Sequence, residues 1–181
     1  MELLIILPLL FIAITLFVLL WYAFDGVFGG EDYPTSKNTV KKIAEAIASR
    51  HFEEGLLYDL GSSRGGFVLD ILNACPGLHA VGIDNSFLRT WIARLRSRMS
   101  KKKAVFVKED IFDANISKAD IVYVYLPRPM LPAVEEKLQK ELRPGSIVLT
   151  SRVDFPDWRP SSVVPKNPAN KDEEDVLVYE F

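Results

Sequence analysis

The chain predicts an α/β fold, a mostly parallel sheet with helices on both faces, carried behind one apolar helix. Three observations support this. Strand-like and helix-like hydrophobic patterns alternate from Leu56 onward, one buried strand runs straight into a glycine-rich turn, and the first two dozen residues hold a long uncharged run. At 181 residues the chain accommodates one domain plus an appendage. The net charge of −2 argues against general nucleic-acid binding, which depends on an excess of Lys and Arg. The lone Cys75 forms no internal disulfide, and with only His51 and His79 beside it no zinc-ligand spacing exists, so no structural metal is expected.

The uncharged run extends from Leu3 to Phe24. As a helix it would span roughly 33 Å, enough for a hydrocarbon core of about 30 Å. A signal peptide is the rival reading, but it would want a basic start, a shorter apolar stretch and a small-residue cleavage site. Here Glu2 is acidic and the run closes on Trp21, Tyr22 and Phe24, which suit a membrane interface. Residues 1–24 are therefore expected to be a single-pass anchor. Lys37, Lys41, Lys42 and Arg50 follow it and no Lys or Arg precedes it, which predicts that the domain faces the cytoplasm.

Residues 25–33 (DGVFGGEDY) carry three glycines and three acids and read as a tether, leaving 34–181 as the domain. A first helix follows, capped by Thr35 or Ser36, with Val40, Ile43, Ala44, Ile47 and Ala48 on one face and Gly55 as its stop. Then come the strand LLYDL, a helix around Phe67–Leu72, the strand HAVGID, a helix over about 86–99, AVFVKED, ADIVYVYL, a helix over about 130–142, and SIVLTSR. DVLVYEF is a last strand with no helix after it, preceded by a polar, Pro-rich stretch over 156–171.

The informative segment is LLYDLGSSRGGFVLDI, a strand, a tight turn and a helix start, which is a ligand-cradling arrangement. Its turn, with Gly61, Ser63, Gly65 and Gly66, does not fit the dinucleotide spacing G-x-G-x-x-G. A strand–helix corner that uses glycine only for packing would look similar. The segment resembles methyltransferase motif I, D-x-G-x-G-x-G, with Asp59 at the strand end, Gly61 and Gly65 in register, and Ser63 in place of the middle glycine. Asp84 ends the next strand, where an acid can accept both hydroxyls of a ribose; capping the helix at Ser86 is the lesser alternative. Asp110 follows the third strand. The resemblance implies a Rossmann-like fold dependent on S-adenosylmethionine (SAM), with Asp59, Gly61, Ser63, Gly65, Asp84 and Asp110 holding the cofactor and a C-terminal antiparallel strand.

A narrower resemblance covers about residues 32–160. YPTSKNTVKKI, DLGSSRGG, YLPRPML and SRVDFPDW are similar to signatures of the protein-lysine methyltransferases that modify the ATP synthase c-subunit and the adenine nucleotide translocase, and of their prokaryotic relatives. SRVDFPDW, which looks like R-F-x-F-P-x-W, is the most diagnostic of these. The resemblance implies a lysine side chain of a protein in or at the membrane as acceptor. A lysine ammonium must lose a proton before it can attack, at a cost of roughly 4 to 5 kcal/mol at pH 7 in water, and a desolvating aromatic slot lowers that cost. Tyr33, Tyr125, Pro127, Phe155 and Trp158 are the candidate walls, each of which could also be a packing residue; Tyr123, inside its strand, reads as core. A lipid or small lipophilic acceptor is the second reading, and a non-catalytic SAM-fold binding domain the third. The basic run Arg89, Arg94, Arg96, Arg98, Lys101, Lys102, Lys103 and Lys108 reads either as a solvated helix face or as a contact for anionic headgroups.

Overall fold

A computed structural model describes residues 2–28, 34–102 and 104–181. The chain divides near residue 32 into two units. The first is one α-helix, α1 (Glu2–Phe28). Its stretch Ile5–Ala23 is long and apolar enough to cross a membrane, and its large side chains from Ile5 to Tyr22 are exposed. Thr15 folds its hydroxyl back onto the Phe11 carbonyl at 2.8 Å, which satisfies the one hydroxyl in the middle of the run. The helix continues past Asp25, where the tether was expected to begin. A single Gly26 costs a helix only about 1 kcal/mol, too little to end it. The remaining tether positions, 29–33, lie outside the described residues.

The second unit is built on a seven-stranded sheet in the order β3-β2-β1-β4-β5-β7-β6. Strands β1 (Leu56–Leu60), β2 (His79–Asp84), β3 (Ala104–Lys108), β4 (Ile121–Val124) and β5 (Ile147–Ser151) run parallel. The C-terminal strand β7 (Val176–Glu180) pairs antiparallel with β5, as expected. A short β6 (Ser162–Val164) pairs with it from within the Pro-rich stretch, a strand its polar sequence does not announce.

Helices α2 (Lys37–Ala48), α3 (Gly66–Ala74), α4 (Phe87–Ser100) and α5 (Leu131–Glu141) connect the strands or flank them. Ser36, not Thr35, caps α2, accepting from the Thr39 amide at 3.1 Å. Strand alternation sorts the core into two faces. Ile121, Tyr123, Ile147, Leu149, Val176 and Val178 pack with Val40, Ile43 and Ile47 of α2 and with Phe67, Val68 and Ile71 of α3. Val122, Val124, Val148 and Tyr179 pack with Leu131, Val134 and Leu138 of α5 on the other face. Because β1 lies between β2 and β4, the strand order reverses there, and the carboxyl ends of β1 and β4 flank the crevice where open α/β sheets bind ligands.

Candidate cofactor and acceptor site

The turn after β1 is pinned to the end of β2: the Gly61 and Ser62 amides both donate to the Ile83 carbonyl, at 2.9 and 2.8 Å. Gly61 and Gly65 adopt φ of +83° and +74°. A Cβ at Gly61 would come within 2.7 Å of Leu126 Cδ2, and one at Gly65 within 2.6 Å of the Phe106 ring. Both glycines are thus demanded by backbone conformation and by packing against the protein itself. Ser63, in the position of the missing middle glycine, reaches the left-handed region at φ 46°. Its hydroxyl is buried with no hydrogen-bond partner among the described residues.

Asp84, at the end of β2, accepts from the Ser63 amide at 2.9 Å through Oδ2 and from the Ser86 amide at 2.8 Å through Oδ1. The two readings of this acid are compatible, since it braces the turn and holds the amide of Ser86, whose own hydroxyl caps α4, while each oxygen of a carboxylate can accept more than one hydrogen bond. Asp59 sits beside it on the neighbouring strand, in register with Gly82 and with Tyr123 of β4. Burial, reinforced by the Asp84 charge, pushes the Asp59 carboxyl up to about 8. No hydrogen bond reaches that carboxyl from the described residues. Asp110 lies beyond β3, exposed, with Oδ1 accepting from the Phe112 amide at 2.9 Å in a tight turn. A buried acid with no cation beside it among the described residues, an orphaned serine hydroxyl and a braced acid at the end of the next strand fit SAM, which carries an ammonium, a sulfonium and a ribose diol.

On the other side of β1, the buried Tyr123 hydroxyl meets Thr35 Oγ1 at 2.9 Å and Ser151 Oγ at 2.7 Å, and its ring stacks on Phe67 at 3.8 Å. Its burial raises the hydroxyl's pKa, and both the Asp59 and Glu174 charges act in the same direction, so this hydroxyl lies within the fields of both acids. Tyr125, just past β4, donates to Glu174 Oε1 at 3.1 Å, and Arg152, just past β5, approaches the same oxygen at 3.9 Å. Glu174 Oε2 is buried and has no hydrogen-bond partner among the described residues. The segment that carries it is tied to α2: the Glu174 amide donates to Thr39 Oγ1 at 3.1 Å, and Lys42 pairs with Glu173 at 2.5 Å and donates to the Pro165 carbonyl.

The expected aromatic slot is divided by the sheet. Tyr125 packs against the face that carries α2 and α3. Phe155 and Trp158 come together at 5.7 Å, but with Tyr179 and Phe181 on the α5 face, where Phe155 is buried. Pro127 is exposed and opens a single 3-10 turn over Arg128–Met130. Tyr33 lies outside the described residues. Glu174, Arg152 and Thr39 were not singled out from the sequence: KDEEDVLVYE looks like a solvated acidic lead-in to a strand, and only the return of β7 beside β5 brings Glu174 to the carboxyl ends of the parallel strands. A depression of about 550 Å³ lined by Glu54, Pro76, His79 and Lys101 among others opens at the opposite ends of these strands, away from the glycine turn.

Known proteins share this fold. A solved RNA methyltransferase from Salinibacter ruber in complex with S-adenosyl-L-homocysteine superposes with a TM-score of 0.72 at 27% identity, covering 82% of this chain and 93% of that one. A protein-lysine N-methyltransferase of Saccharolobus islandicus is 26% identical over 72% of this chain and 81% of its own length. The lysine N-methyltransferase of the ATP synthase c-subunit from Xenopus laevis is 29% identical over 72% of this chain, which spans 56% of that relative. Residues 59–162 match the model of the ANTKMT methyltransferase domain. This segment contains the glycine turn, both carboxylates on β1 and β2, and the YLPRPML and SRVDFPDW signatures. The chain belongs to the ANTKMT methyltransferase domain family and is a SAM-dependent methyltransferase.

Proposed function

We propose that this protein methylates a lysine side chain of a protein in or at a membrane, with α1 as a single-pass anchor and the domain on the cytoplasmic side. The observation that carries the acceptor assignment is Glu174, whose buried Oε2 lacks a hydrogen-bond partner among the described residues and lies beside the Tyr125 hydroxyl, at the carboxyl ends of the parallel strands. An unpaired carboxylate oxygen in that place suits a cationic side chain. Relatives named for lysine methylation, one of them for the ATP synthase c-subunit, support the same class of acceptor.

Asp84 would hold the ribose hydroxyls and Asp59 a positive group of the cofactor, with Gly61, Ser63 and Gly65 shaping the turn and Asp110 at the adenine end. When bound, SAM supplies a methyl group already activated by its sulfonium. The chain's own task is then to orient a nitrogen, exclude water and remove one proton. Glu174 would receive the lysine ammonium and accept its proton, which frees the nitrogen lone pair for in-line attack. Tyr125 would fix the Glu174 carboxylate through Oε1 and leave Oε2 for the substrate.

Incubation of the full chain with radiolabelled SAM and native membranes, followed by separation of protein, lipid and RNA, tests the reading. Label in protein, released on hydrolysis as methyl-lysine, is expected. Label in lipid alone would support the lipophilic-acceptor alternative, and label in RNA would align this chain with its Salinibacter neighbour.

A further inference from the structure

Helix α4 inverts part of the usual pattern: Leu88 and Ile92 are half-buried, but polar side chains enter the core while four large apolar ones stand outside. A surface helix ordinarily packs its apolar stripe on the core and leaves its polar face in water. Here the residues buried against the sheet are Arg89, Thr90, Ala93 and Ser97. Phe87, Trp91, Leu95 and Met99, spaced four apart on the opposite face, are 62, 52, 43 and 76% exposed. Thr90 explains part of the inversion, since its hydroxyl is satisfied by the Ser86 carbonyl at 2.8 Å and it can enter the interior at little cost. Nothing in the packing of the domain explains why four large apolar side chains stand on the outer face.

The charge of the helix identifies what would cover them. α4 contains four arginines and no acid. Arg94 and Arg98 fall seven residues after Phe87 and Trp91, two helical turns on, and so border the same stripe, and Lys101 and Lys102 follow at its C-terminal end. Arg94 is held there by a hydrogen bond from Nε to the Phe106 carbonyl at 2.9 Å. A tryptophan and long aliphatic side chains flanked by arginines form the pattern of a helix lying in a membrane interface, apolar side in the acyl boundary and cations at the headgroups. A second copy of the chain fits poorly, because a two-fold contact through this face would set its arginines against their own equivalents. The same chain also carries the apolar helix Ile5–Ala23.

We propose that α4 is a second, peripheral membrane contact, through which the catalytic domain rests on a bilayer rich in anionic lipid with Phe87, Trp91, Leu95 and Met99 inserted at the headgroup level. The contact sets the orientation of the domain on the membrane and is separate from the acceptor chemistry, so it stands whichever acceptor is methylated.

The test uses the full chain in vesicles of phosphatidylcholine alone or mixed with phosphatidylglycerol, with an environment-sensitive fluorophore on Leu95→Cys and, as a control, on Glu136→Cys of α5, which is exposed. Cys75 is buried and stays in place. The label at position 95 is expected to shift to the blue and to be quenched by brominated lipid, more strongly in the anionic vesicles, while the label at position 136 stays in water. Adding Trp91→Glu should return the first label to water without altering SAM affinity. A label at 95 as unquenched as that at 136 overturns the proposal. So does a label shielded from water but not quenched by bromolipid, and more shielded as the protein-to-lipid ratio rises, which would assign the face to a second copy.

Discussion

Asp84 holds the backbone N–H of Ser63 at 2.9 Å, so the acid that ends β2 fixes the turn that leaves β1. The cofactor contact proposed for Asp84 would therefore share one carboxylate with the turn geometry. Asp84→Ala should weaken SAM binding by about a hundredfold or more, the order expected for two hydrogen bonds from ribose hydroxyls to a charged acceptor. It should also lower Tm by roughly 3 to 6 °C, because the Ser63 and Ser86 amides lose their acceptor. Titration calorimetry and thermal melts measure the two effects. Unchanged affinity in a folded Asp84→Ala protein would mean that the cofactor binds elsewhere.

Gly61→Val should lose stability and binding together. The valine would have to adopt φ near +83° and place its Cβ within 2.7 Å of Leu126. The left-handed backbone costs about 1 to 2 kcal/mol for an L-residue, and overpacking about 1 to 3 more. A variant that melts like the parent and still binds SAM would contradict the turn geometry.

With the role proposed for Asp59, SAM affinity should depend on pH. Its folded pKa of about 8 lies above the ordinary 3.8, so the free folded protein binds a proton that the unfolded chain releases. The stability contributed by that proton is complete below pH 4 and is lost as pH rises to 8, at no more than about 1.4 kcal/mol per pH unit. A cationic ligand favours the ionised carboxyl, and binding at pH 7 should therefore expel a proton. SAM affinity should rise between pH 6 and pH 8 and level off above. Calorimetry in buffers of different ionisation heat counts the proton, and Asp59→Asn should abolish both the release and the pH slope. An affinity flat across this range in the parent protein would refute the assignment.

The aromatic cluster around Trp158 and the Tyr125–Glu174 pair should separate by readout. Trp158 packs among Phe155, Tyr179 and Phe181, so Trp158→Ala should cost stability, on the order of 2 to 4 kcal/mol for a half-buried ring. Glu174→Gln should leave the fold and SAM affinity intact and lower kcat/KM at pH 7.5 by about tenfold or more, within the usual range for a proton acceptor. That deficit should shrink toward pH 10, where lysine deprotonates in water. A deficit that is constant with pH would make Glu174 a structural residue.

What could be read from the chain follows the range of the interactions. The glycine turn, the acids at the ends of β1 and β2 and the alternation of strands and helices are local, and the structure places them where their spacing predicts. Glu174 is 49 residues from Tyr125, and their contact exists only because β7 returns antiparallel beside β5. No local pattern marks it. The divided aromatic slot has the same origin: Tyr125 and Trp158 are both aromatic residues just past parallel strands, and which face of the sheet each joins is decided by loop paths that periodicity does not encode. In α4 the apolar spacing is plain in the sequence, but which face is buried is settled by packing on the sheet.

The last prediction concerns α1. Removing residues 1–28 should give a soluble protein that folds and binds SAM with unchanged affinity. All of the glycine turn, the two core clusters and the Thr35–Tyr123–Ser151 hydrogen bonds come from residue 35 onward, and the chain divides near residue 32. Methylation of a membrane acceptor should slow by about two orders of magnitude, because an anchor in the same bilayer converts a three-dimensional search into a local one. Initial rates on native membranes, compared at equal enzyme for the full and truncated chains, measure the difference. Insolubility or lost SAM affinity would make α1 part of the domain's fold. Full-rate methylation of membranes would show that encounter does not depend on it.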